Sequence, residues 1–101
     1  MAMFTVTIVN GPHWHSSRPR RDQLAWAEHA AYMDQLVADG FVVLGGPLGD
    51  GQQVLLAVEA TDESDIHVRL AEDPWIPMGV VRIAAIQAWT VWLDGRQRGR
   101  H

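Results

Sequence analysis

The chain has 101 residues, 48% of them hydrophobic and 20% charged, which suits one globular domain and not two. Its net charge of −4 at pH 7 excludes a basic field for nucleic acid, and the absence of cysteine excludes disulfides, thiolate catalysis and cysteine–zinc sites. No apolar run approaches the ~18–20 residues that cross a membrane, and no basic stretch followed by an apolar one marks a signal peptide, so the expected location is the cytoplasm.

In chain order, MFTVTIV (residues 3–9) alternates Phe4, Val6 and Ile8 with Thr5 and Thr7, the period of a strand. NGPHWHSSRPR reads as a loop, because Asn-Gly, two prolines and two serines break regular structure. The first helix is expected to begin between Ser17 and Asp22 and to stop at Gly40. FVVLGG reads as a short strand, and GGPLGDG as a turn or rigid loop. QVLLAVEA returns as a strand. Thr61 or Asp62 can cap a second helix over ESDIHVRLAE, which must end where Pro74 disfavours helical geometry at Asp73. WIPMG connects to a last strand over residues 80–93, and residues 96–101 form a polar, cationic tail expected to be disordered behind a single domain over 1–95.

The resulting order, β-α-β-β-α-β, is the split βαβ, ferredoxin-like pattern: an α+β fold with an antiparallel sheet and both helices on one face. The last strand carries Val81, Ile83, Ala85, Trp89, Val91 and Leu93 on one side, and Ile86 and Trp92 on the other. Two helices cover only one sheet face, so large apolar residues on both sides call for a second cover. The expected cover is the sheet of a second copy, giving a homodimer through the open sheet face. A domain this small buries only about 60–65% of its unfolded surface, which also favours self-association. Trp89 and Trp92 fit that dimer core better than a ligand contact.

On a helical wheel of about 100° per residue, Trp26, Met33, Leu36 and Val37 lie within roughly 80° of His29, as do Ala25 and Tyr32. A histidine thus occupies the centre of an apolar stripe. One reading is a core histidine satisfied by a backbone carbonyl. The other is acid–base chemistry, which needs a group to orient and polarise the imidazole. Asp73 is the candidate, since the two helices lie side by side and it stands at the end of the second. On the second reading His29 and Asp73 form an acid–base pair in an apolar pocket lined by Trp26, Tyr32 and Trp75; on the first, Asp73 is simply the aspartate of an Asp-Pro turn.

The stretches HAAYMDQLVADGFVVLGGPLGDG and LAEDPWIPMGVV, followed by a strand ending near a tryptophan, resemble the YCII-related proteins over residues 23–92. The shared features are a His, an aromatic residue shortly after it, a Gly-Gly-Pro turn and Asp-Pro-aromatic, in that order. The resemblance implies a dimeric α+β barrel and a His–Asp active site, carried here by His29 and Asp73. One branch looks like dehydrochlorinases acting on chlorinated hydroxyquinones. The wider superfamily includes muconolactone isomerases and antibiotic monooxygenase-like proteins.

Three other stretches carry weaker signals. GGPLGD lacks the lysine and following helix of a phosphate-binding loop; Gly46 and Pro47 are either a pocket wall or a plain hairpin turn. His13 and His15 have His-x-His spacing without an obvious third ligand, so no metal is expected and the loop is read as lying near the pocket mouth. Arg18, Arg20 and Arg21 are either solvated charge or an anion grip at the pocket rim, with Arg21 taken as the substrate contact.

Two functional readings follow. The first is a cofactor-free homodimeric enzyme of lyase (dehydrohalogenase) or isomerase type, moving a proton on a small cyclic or aromatic organic acid or phenol. The second is a non-catalytic dimer that binds a small ligand or regulates a partner. A weaker third, haem or flavin-free oxygen chemistry, follows from the monooxygenase-like relatives.

Overall fold

Strand β1 (Ala2–Asn10) buries Val6 and Ile8 and turns Thr5 and Thr7 the other way, as its alternation requires. In the computed structural model, which describes residues 1–97, it lies inside a four-stranded antiparallel sheet of order β2-β3-β1-β4, with β2 at Val42–Leu48, β3 at Gln53–Ala60 and β4 at Val81–Ala88. Helices α1 (Trp26–Ala38) and α2 (Glu63–Leu70) cover one face. This is the ferredoxin-like α+β arrangement that the element order predicts. The core lies between that face and the helices, where Val6, Leu56 and Val58 meet Leu36, Ile66, Leu70 and Trp75. Each such aliphatic side chain contributes about 1.5–3 kcal/mol when fully buried.

Two helix ends follow the local chemistry of the sequence. The Asp62 carboxylate accepts the Asp65 amide at 2.8 Å and caps α2. Gly40, at φ +79°, closes α1: its amide bonds Val37 O at 3.0 Å, and the next amide, Phe41, bonds Leu36 O at 3.0 Å. That is the Schellman pattern, with Phe41 and Leu36 both buried beneath it.

Three boundaries differ from expectation. Helix α1 starts at Trp26, not within residues 17–22; only a 3₁₀ turn occupies Arg20–Asp22. Between them the Gln23 side chain is buried and bonded to the His15 amide, His15 O and Arg18 O at 2.8, 2.8 and 3.0 Å, and Ala25 takes φ 60°. Those bonds hold the loop in a shape no helix can follow. Strand β2 runs on through Gly45, Gly46, Pro47 and Leu48, where a turn was expected. It is an edge strand, so the missing Pro47 N–H is tolerated. A Cβ on Gly45 would stand 2.6 Å from Leu56 Cδ2, so glycine lets the edge approach the core.

Strand β4 ends at Ala88 rather than residue 93, because Phe4 already faces Ala88 and β1 begins only at Ala2. Its faces also differ. Thr7 pairs with Ala85 but Ile8 pairs with Ile83, so Ala84 is an extra residue in the ladder. The bulge resets the alternation, and Ile86 comes opposite Val6, on the helix-covered face. The open face instead carries Leu44 and Leu48, 60% and 45% exposed, joined by Trp89 at 44%. Residues 89–96 run over this face beside Met3, Leu44 and Ala57 and enclose about 210 Å³ with them. The expected disordered tail falls mostly on residues 98–101, outside the described residues; Gly95–Gln97 forms a 3₁₀ turn. Among the described residues no helix is long and apolar enough to cross a membrane.

Candidate active site

Helix α2 stops as Pro74 demands, and the chain turns at Asp73. The Asp73 side chain folds back so that Oδ1 accepts the Trp75 amide at 3.0 Å, a turn typical of aspartate. That bond aims the carboxylate, 2% exposed, at the middle of α1. There His29 Nδ1 lies 2.9 Å from both carboxylate oxygens. An ionised carboxylate only accepts, so the neutral ring that pairs with it is the tautomer with the hydrogen on Nδ1 and the lone pair on Nε2. Nε2 makes no hydrogen bond among the described residues, and the His29 side chain is 15% exposed.

Trp75 fixes the ring from one side. Its indole lies parallel to the imidazole, centroids 3.8 Å apart and planes 6° from coincidence. The indole is itself held, because it is fully buried and its Nε1 donates to Leu24 O at 2.7 Å. Trp26 leans on both rings at 5.7 Å, and Trp14 meets Trp75 edge-on at 6.2 Å. His29, Asp73 and Trp75 share a cavity of about 60 Å³ with Arg20 and the apolar side chains of Ile8, Met33, Val54, Leu56 and Val81. By liquid volume that holds about two waters.

Not every residue assigned to the site from the sequence reaches it. His29, Asp73, Trp26 and Trp75 come together. Tyr32 turns away: its hydroxyl donates to Arg69 O at 2.6 Å and lies 3.3 Å from Glu72 Oε2. Burial, then the Glu72 charge, raise its pKa. Gly46 and Pro47 pair with Leu55 and Val54 along β2 and lie outside the cavity lining. Arg21 is exposed, with its guanidinium 5.9 Å from the Trp26 ring centre; Arg20, its neighbour, lines the cavity instead. His13 Nδ1 bonds Met78 O at 2.8 Å and His15 Nδ1 bonds Ser17 Oγ at 2.9 Å, so both imidazoles serve the loop. No group of three metal-ligating side chains occurs among the described residues. Met33 lies on the His29 stripe but was not singled out for the site, and Gln23 carried no sequence signal at all. A glutamine between an arginine run and an apolar stripe looks like surface until the loop folds onto it.

Comparison with family models finds no match, and neither does comparison with curated proteins. Among solved structures the chain is similar to a 5-chloro-2-hydroxyhydroquinone dehydrochlorinase from Burkholderia phenoliruptrix, in complex with 2,5-dihydroxybenzoquinone. The TM-score is 0.61 at 27% identity, over 93% of this chain and 96% of that one.

Proposed function

We propose that this chain is a small enzyme in which His29, oriented by Asp73, moves a proton in an elimination or isomerisation of a small cyclic or aromatic organic acid or phenol. The observation that carries the reading is the His29–Asp73 bond, 2.9 Å from Nδ1 to each oxygen, in a ring that lines the cavity and whose Nε2 makes no hydrogen bond among the described residues. Nε2 takes a proton from the substrate. In an elimination the released electron pair becomes a ring double bond and the halide departs as an anion; the imidazolium then gives its proton to solvent, a net loss of HX. In an isomerisation the same proton returns to another carbon. Asp73 holds the ring in the productive tautomer and balances the imidazolium, and the Trp75 face attracts the positive ring. No step draws on a cofactor. The dehydrochlorinase neighbour supports the elimination branch.

The same reading assigns the chain to the YCII-related family and gives it a homodimeric form closed through the open sheet face. The exposed Leu44, Leu48 and Trp89 on that face support the dimer.

The test is anaerobic chloride release from 5-chloro-2-hydroxyhydroquinone, with 2,5-dihydroxybenzoquinone as the binding probe. Wild type is expected to release chloride. His29→Gln is expected to lower kcat by about 100-fold or more, while probe affinity stays within about threefold. Unchanged chloride release in His29→Gln contradicts the proton-transfer role. A requirement for oxygen points to oxygenation instead.

A further inference from the structure

We infer that Arg20 binds an oxyanion, so that the ligand of this cavity is a small planar ring carrying a phenolate, enolate or carboxylate oxygen. The inference rests on the reading above that the cavity beside His29 receives the substrate, and it adds the charge of that substrate.

Two side chains of opposite charge line the cavity, Asp73 and Arg20. Asp73 is already committed to His29 and to the Trp75 amide. Arg20 has no such commitment. The ion pairs among the described residues join His29 to Asp73, Arg69 to Asp39 and Arg96 to Asp94, and none includes Arg20. Among the described residues the guanidinium makes one hydrogen bond, from Nη2 to the neutral Gly51 O at 3.2 Å. Its guanidinium carbon sits over the Trp14 ring, 4.9 Å from its centre, so the cation rests on an indole rather than on a carboxylate. Partial burial depresses its pKa, which reflects lost hydration without a counterion. A guanidinium presents five N–H donors, and one bond to a carbonyl leaves most of them unused. A cation held half out of water in this state is an acceptor's site, and charge-assisted bonds from it are the strong ones.

The rest of the lining selects the body of the ligand. Ile8, Met33, Val54, Leu56 and Val81 are apolar, and the buried Trp75 ring adds to that lining. At about 60 Å³ the cavity takes the edge of a ring rather than the whole of it, and it offers too few donors for a phosphate, which needs several at once. The anion on Arg20 also serves the chemistry proposed for His29, because charge that develops on a ring oxygen as Nε2 withdraws a proton meets a fixed cation.

The experiment compares two probes of similar shape, anionic 2,5-dihydroxybenzoquinone and its neutral dimethyl ether, by titration calorimetry on wild type, Arg20→Gln, Arg20→Lys and His29→Gln. Wild type is expected to prefer the anion by about tenfold or more. Arg20→Gln is expected to collapse that preference, Arg20→Lys to keep part of it, and His29→Gln to keep it. A general loosening of the loop would weaken both probes alike and leave the ratio intact. An anion preference unchanged in Arg20→Gln overturns the role of Arg20 and leaves the His29 reading standing. Wild type binding neither probe overturns both.

Discussion

Asp73 Oδ1 accepts the Trp75 amide while both its oxygens face His29 Nδ1, so one carboxylate shapes the turn and orients the imidazole. The residues that carry this were visible in the sequence for different reasons. His29 stood out as a polar ring at the centre of an apolar stripe, and Asp73 as the residue that must leave the helix before Pro74. Arg21 was taken as the contact, whereas Arg20 lines the cavity, because neighbours in a loop point apart in ways no periodicity encodes. Tyr32 lies on the same stripe as His29, but its hydroxyl needs a partner and finds one in Arg69 O. That environment has a pH signature. Its pKa is raised in the fold, so the folded state binds the phenol proton more tightly than the unfolded chain. Stability is therefore full below the unfolded value of about 10 and falls as pH rises through the folded one. Urea denaturation from pH 9 to 11.5 is expected to show that loss in wild type and a smaller one in Tyr32→Phe. As the chain has one tyrosine, tyrosinate absorbance reports the titration directly.

Among the elements, caps and strand alternation were legible and irregularities were not. Gly40 and Asp62 end and begin their helices by chemistry local to a few residues, and both act as expected. The bulge at Ala84 has no local cause, since it exists only in the pairing of β4 with β1. Reading β4 as an unbroken alternation put Ile86 on the open face, when it packs beneath the helices. The Gly-Gly-Pro stretch was read as a turn because glycine and proline end strands inside a sheet; at the edge they do not. Gly40→Ala is expected to cost about 1 kcal/mol, since alanine at φ +79° is strained, with the urea m-value unchanged. No loss of stability would mean the Schellman closure contributes nothing.

For the whole molecule, the ferredoxin-like order was legible because six elements leave few ways to cover one sheet face. The proposed dimer rests on the other face, with its reassigned apolar residues. Leu44→Arg puts a charge at the middle of that patch and is expected to turn a dimer into a folded monomer by sedimentation, whereas a wild type that is monomeric at micromolar concentration contradicts the dimer. The fold also joins side chains 44 residues apart, and the proposed chemistry depends on which imidazole nitrogen that contact leaves free. Long-range ¹H–¹⁵N correlation of the neutral His29 ring reads this directly. The expected result is a proton on Nδ1 and a bare Nε2 in wild type, with that tautomer preference lost in Asp73→Asn. A wild-type ring protonated on Nε2 would leave no base facing the cavity and would contradict the proposed role of His29.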